Sequence, residues 1–151
     1  MYRAATYVAL RDGWIESSDA EKAQKLDSYD MRFIKNPDTG YDSIRVDGEL
    51  LESKIRSTEL GLSMTPIVTC RPLRTILEKK QRAFLDHHNL VADGRDMGTV
   101  VFPDAHRKFF LTCDIDTRTE RRYRQLLDAG KHPNKELIRQ EIQQRDRVDY
   151  L

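Results

Sequence analysis

The stretch from Asn89 to Asp114, NLVADGRDMGTVVFPDAHRKFFLTCD, constrains the fold more than any other part of the chain. A short apolar run, Leu90-Val91-Ala92, enters a loop rich in glycine and aspartate. A longer apolar run, KFFLTC, follows, and a helical pattern begins at Asp116. Apolar runs without polar alternation are the pattern of strands buried on both faces, as in parallel sheets. Strand, loop, strand and helix in that order argue for an α/β sheet. Two adjacent parallel strands are therefore expected within residues 89–114, with Asp93–Asp96 at the carboxyl end of the first.

The first half has a different rhythm. Tyr2, Ala5, Ala9 and Leu10 recur at helical spacing, so residues 1–11 are expected to be helical although no capping residue precedes them. Residues 17–26 read as a short helix opened by Ser17 or Ser18. Residues 27–51 read as a small antiparallel meander. DMRFI alternates, NPDTG is a turn, DSIRV is a second strand, and Asp47-Gly48 is a hairpin signal. Residues 52–64 and 71–86 are expected to be helices, with Pro72 at the start of the second. Residues 116–129 form a further helix, opened by a Thr117–Glu120 capping box and ended by Gly130. Residues 134–149 are a last, strongly charged helix. No internal repeat or low-complexity tract interrupts this order.

Charge narrows the functions. The chain has 151 residues, 34% of them charged, yet a formal net charge of only +1. Whole-molecule attraction to nucleic acid or an anionic membrane has no basis in that balance. Any anion site must be local. No apolar run approaches the roughly 20 residues of a membrane span, and MYRAATYVALRDGW lacks the pattern of a secretory signal. Cys70 and Cys113 are too far apart for a CxxC motif. They are read as buried thiols in a reducing cytoplasm, with a disulfide as the alternative.

Several constellations could carry chemistry. Asp93-Gly94-Arg95-Asp96 falls where open parallel sheets bind ligands, beyond the carboxyl ends of strands. Gly94 permits a sharp turn, Arg95 can fork onto a phosphate, and Asp96 can accept from an amino group. An Asp-Gly turn closed by a local ion pair is the alternative. Arg118, Arg121 and Arg122 share one helical face, opposite Tyr123, Leu126 and Leu127. They suit phosphate oxygens, or form a solvated face relieved by Asp116 and Glu120. Arg145 and Asp149 are either a surface ion pair or a phosphate grip with a sugar-hydroxyl acceptor. Arg3 and Arg74 are further candidates.

Other motifs are lacking. His87-His88 has too few ligands nearby for a metal, and no HExxH, EF-hand or GxSxG pattern occurs. Gly130-Lys131 is no P-loop, because GxxxxGK[ST] needs glycine and a hydroxyl residue where Gln125 and His132 stand. No metal-binding residue is assigned.

Taken together, the stretches MYRAATYVALR, IRSTEL, PLRTILEKKQRAF, LVADGRDMGTVVFPDAHRKFFL, RTERRYRQL and EIQQRDRVD resemble bacterial cytidylate kinases. The run DGRDMGTVVFPDA is the most specific of them. The resemblance implies a P-loop NTPase-like nucleoside monophosphate kinase fold: a parallel core sheet, a small antiparallel inserted lobe that holds the monophosphate, and a helical lid. Mapped onto this chain, residues 1–26 are core helices, 27–70 the insert, 71–130 core and 131–151 an incomplete lid, all in one partial domain.

The same resemblance implies roles. Arg3, Arg95 and Arg145 would hold the CMP phosphate; Thr65, Arg74 and Asp96 would read cytosine; Asp149 would bind the pentose. Arg118, Arg121 and Arg122 would face the ATP phosphates, chiefly through Arg122, and Arg95, Arg122 and Arg145 would act in catalysis. The implied substrates are ATP, with Mg2+, and CMP or dCMP, and the implied protein is a cytoplasmic monomer. The family's P-loop, which precedes its Tyr-Arg pair, is not among these residues, nor are a further lid arginine and the last strand and helix. A fragment inactive alone is the expectation. Thr65 replaces the family's usual serine, and Pro66 after it is a departure. A non-catalytic CMP-binding or interaction module is the alternative function, and a small RNA-binding protein a more distant one.

Overall fold

Small residues on one face of the first helix decide where the first core forms. The computed structural model describes residues 1–86 and 89–149, without the side chains of Thr58, Arg145, Val148 and Asp149. They fall into two compact units, Met1–Ala92 and Asp93–Leu151.

In the first unit, α1 (Tyr2–Arg11) buries Ala4, Ala5, Val8 and Ala9. Trp14, Leu26, Leu51, Ile67, Leu73 and Leu77 belong to the same buried cluster. Helix α2 (Asp19–Ser28) starts at Ser18, which forms a reciprocal capping box with Glu21. The expected meander is present as β1 (Met31–Lys35), β2 (Asp42–Val46) and β3 (Glu49–Leu50), antiparallel in that order. Met31 pairs with Val46 and Lys35 with Asp42. Asp47 and Gly48 both have positive φ, 47° and 85°, the geometry a two-residue hairpin turn requires.

One helix was expected over 52–64. Instead residues 52–55 form a turn, and helix starts only at α3 (Thr58–Leu62). Ser57 sets that start. Its backbone is extended, and its Oγ accepts from the Leu60 N–H at 3.1 Å. Short α4 (Thr65–Val68) carries Pro66 in its first turn, where a missing N–H costs nothing. Helix α5 (Arg71–Arg82) buries Leu73 and Leu77 and runs into a 3₁₀ turn at Ala83–Asp86. His87 and His88 lie outside the described residues.

The parallel strands expected within 89–114 do not form. Residues 89–96 and 102–114 carry no regular structure. Val91 is 100% exposed, Phe109 83% and Leu111 91%. A strand exists through its neighbours, because its N–H and C=O groups pair laterally. Among the described residues the meander is the only sheet, so these runs have no ladder to join. Cys113 is consequently exposed rather than buried, whereas Cys70 is buried as expected; both are free thiols.

The second unit is built on two helices. A single π turn, Met97–Val101, follows Asp96, with Val101 N–H donating to the Asp96 carbonyl at 3.1 Å and Phe102 N–H to that of Met97 at 2.7 Å. Helix α6 (Ile115–Asp128) begins at Asp114, not at a Thr117–Glu120 box. Thr117 N–H donates to Asp114 Oδ1 and its hydroxyl to Oδ2, both at 2.7 Å. Aspartate wins because a carboxylate accepts two bonds at once beside the helix dipole. At the other end Gly130 has φ 72°. Its N–H reaches the Leu127 carbonyl and Lys131 N–H that of Leu126, which closes the helix as a Schellman motif. Asn134 Oδ1 then accepts from Glu136 and Leu137 N–H and opens α7 (Lys135–Asp149). Lys135 pairs with Glu120 at 2.6 Å and Arg139 with Asp116, tying α7 to α6.

Candidate functional site

The first candidate cluster grows from the packing of four helices. Helix α1 packs on α3 and α4, and α4 on α5. Arg3 on α1, Thr65 at the start of α4 and Arg74 on α5 therefore belong to adjoining elements of the first unit. Arg3 Nη1 donates to two carbonyls, Ile55 at 2.8 Å and Ser57 at 3.0 Å. Among the described residues nothing accepts from its Nε or Nη2. These two atoms form the side-on edge of the guanidinium, a fork that suits a carboxylate or phosphate. A Cβ at Gly61 would stand 3.1 Å from Nη2, so the bare backbone of α3 leaves that edge its space. Thr65 is exposed and Arg74 half-buried.

The second unit holds the remaining described candidates. Arg95 is exposed, and half-buried Asp96 supplies the carbonyl that starts the π turn. A Cβ on Gly94 would meet Met97 Cγ at 2.7 Å, so the glycine is what lets Met97 fold over the loop. Arg118 makes a two-point bridge to Asp146, 2.8 and 2.7 Å. These bonds first, and then the charges of Arg118 and Arg95, hold the Asp146 carboxyl below the usual carboxylate range. Arg118, Arg121 and Asp146 line a concavity of about 440 Å³ with Leu111, Thr112 and Cys113.

The arginine stripe of α6 is thus split. Arg118 and Arg121 turn to this concavity, while Arg122 is exposed and does not line it. The counter-charge differs from the expected one as well. Asp116 pairs with Arg139, and Glu120 with Arg124 and Lys135. The side chains of Arg145 and Asp149 lie outside the described residues.

Two participants were missed in the sequence. Asp146 looked like one of many charges on a charged helix; only tertiary packing gives it Arg118. Ser57 carried a legible signal, a hydroxyl three residues before Leu60 at a helix start.

Two comparisons with known proteins cover nearly the whole chain. The family model described as cytidylate kinase matches residues 1–150. The chain belongs to the cytidylate kinase family. Curated cytidylate kinases are similar along nearly all of it. That of Azotobacter vinelandii is 36% identical over 150 residues, 99% of this chain and 65% of the relative. That of Haemophilus ducreyi is 38% identical over 149 residues, 99% of this chain and 66% of the relative. The Ralstonia nicotianae protein is 37% identical over 150 residues, 99% and 62%. The chain thus spans slightly under two thirds of the length of these cytidylate kinases.

No described helix is long and apolar enough to cross a membrane. Among the described residues no three His, Cys, Asp or Glu side chains gather as a metal cage.

Proposed function

We propose that this chain supplies the monophosphate-binding part of an enzyme that transfers a phosphoryl group from ATP to CMP or dCMP. The observation that supports this best is Arg3. Two carbonyls fix its Nη1, and its Nε/Nη2 edge keeps donors for an oxyanion. In this reading Arg3, Arg95 and Arg145 hold the CMP phosphate. Thr65, Arg74 and Asp96 read the base, and Asp149 binds the pentose. Arg118, Arg121 and Arg122 face the ATP phosphates. The finer fold goes with it: residues 90–92 and 108–113 are strands of a parallel core sheet once flanking strands are present.

The chemistry suits these groups. Phosphoryl transfer depends mainly on positioning and charge neutralisation, so arginines that surround the phosphates are what it requires. Cytosine offers an exocyclic amine and a ring acceptor. An aspartate acceptor beside arginine and hydroxyl donors separates it from uracil. Arg118 would first have to exchange Asp146 for a phosphate oxygen, and because Asp146 lies on α7, that exchange would loosen α7 from α6.

The 151 residues contain no GxxxxGK[ST] run. By themselves they are proposed to bind CMP without turning it over. Calorimetric titration with CMP, UMP and cytidine tests this. CMP binding tighter than either UMP or cytidine is expected. No CMP binding, or equal affinity for all three, would overturn the reading.

A further inference from the structure

We infer that Ser57 is a positioning residue for the anion grip at Arg3. The inference rests on the reading of Arg3 as a phosphate ligand and adds the device that aims it.

Ser57 is the N-cap of α3. Its Oγ accepts from Leu60 N–H at 3.1 Å, and its backbone is held extended, φ −67° and ψ 154°. That conformation turns the chain between Ile55 and Ser57 so that the carbonyls of both meet Arg3 Nη1. Each Nη carries two hydrogens, and these two acceptors occupy both on Nη1. The end-on fork of the guanidinium, which needs an Nη1 hydrogen, is therefore closed to a ligand. The side-on fork, Nε with Nη2, is what remains for an incoming oxyanion, and Nη2 lies over the bare backbone of Gly61.

Ser57 itself touches no ligand in this arrangement. Its hydroxyl fixes a peptide, the peptide fixes one end of a guanidinium, and the other end faces the anion. Arginine side chains otherwise sample many rotamers, and ordering one at the moment of binding weakens the grip. A carbonyl pair that orders it beforehand removes that cost. The selection is also geometric, since a side-on fork accepts two oxygens of one tetrahedral phosphate but leaves a neutral nucleoside nothing to gain.

The test uses the 151-residue chain, its Ser57→Ala and Ser57→Thr variants, and two readouts. The first is affinity for CMP and for cytidine, which lacks the phosphate. Ser57→Ala should weaken CMP about fivefold, the scale of a lost N-cap. Cytidine affinity should stay unchanged, and Ser57→Thr, which keeps the hydroxyl, should restore CMP binding. The second readout is the guanidinium NMR signal of Arg3 without ligand. Its Nη1 hydrogens should exchange slowly in the wild type and the Thr variant, and quickly in the Ala variant.

Equal weakening of CMP and cytidine would mark Ser57 as merely structural. An Arg3 signal unchanged by Ser57→Ala would overturn the positioning role whatever the ligand does. If CMP binds no better than cytidine even to the wild type, the phosphate reading of Arg3 falls, and the guanidinium signal still decides whether Ser57 holds it. A melting curve for each variant separates all of these from loss of the fold.

Discussion

Arg118 on α6 and Asp146 on α7 meet in a two-point bridge, Nη1 to Oδ1 at 2.8 Å and Nη2 to Oδ2 at 2.7 Å. Lys135–Glu120 and Arg139–Asp116 add two further ion pairs between these helices, beside buried Thr119 and Ile138.

That bridge predicts acid sensitivity. The folded chain holds Asp146 below its ordinary value of 3.8. Its contribution is complete above that value and is lost as pH falls through the lowered one. Hydrogen-exchange protection of α7 should therefore drop on acidification below about pH 4. In Asp146→Asn, protection should be weaker at neutral pH and less dependent on pH over this range. Added salt should loosen α7 in the wild type as well, because all three pairs are partly exposed. Protection indifferent to both would count against an ionic hairpin.

Tyr29 links two groups that behave differently. Its hydroxyl accepts from Trp14 Nε1 at 3.0 Å and donates to Asp12 at 2.5 Å. Trp14 is 3% exposed. Tyr29→Phe would leave a buried indole N–H without its acceptor, a loss of about 1–3 kcal/mol. It should also move Asp12. Arg11's hydrogen bond first, and then Tyr29's, lower the Asp12 carboxyl to about 2 from an ordinary 3.8. Stability from Asp12 is present above 3.8 and lost as pH falls toward 2, so the variant should have less of it to lose and finish losing it at a higher pH. A thermal melt at neutral pH and an acid titration read both effects, and a neutral-pH melt identical to the wild type would refute the first.

The hairpin turn separates two neighbours. Gly48 has φ 85° with nothing near the position of a Cβ, so Gly48→Ala should cost about 1–2 kcal/mol through backbone strain alone. Asp47 Oδ1 accepts from Asp30 N–H at 2.8 Å. Asp47→Asn keeps that oxygen and tolerates positive φ, so its melting temperature should match the wild type. Equal losses in the two variants would contradict the turn geometry.

What the sequence disclosed follows the range of the forces involved. The meander was legible because alternation, Asn-Pro and Asp-Gly are signals a few residues long, and β1, β2 and the turn at Asp47-Gly48 stand where they were expected. Helix ends shifted where two polar residues competed for a cap, as Asp114 displaced Thr117. The runs at 90–92 and 108–113 carry no strand here, because an apolar run becomes a strand only beside another strand, which local pattern cannot supply. Among the site residues, Arg3 was legible as a candidate, but its carbonyl partners at Ile55 and Ser57 lie more than fifty positions away. The stripe at 118, 121 and 122 was correctly placed on one helix, yet its division depends on Asp146 from the next one.

The proposed site for a pyrimidine nucleoside monophosphate lies at Arg3, Ser57, Thr65 and Arg74. Amide chemical shifts followed during a CMP titration of the 151-residue chain test it most directly. Saturable shifts are expected to cluster at Arg3, Ser57–Gly61, Thr65 and Arg74, and to be abolished in Arg3→Gln while the melting curve is kept. No saturable shift, or shifts centred on the separate concavity between Phe33 and Phe84, would contradict it.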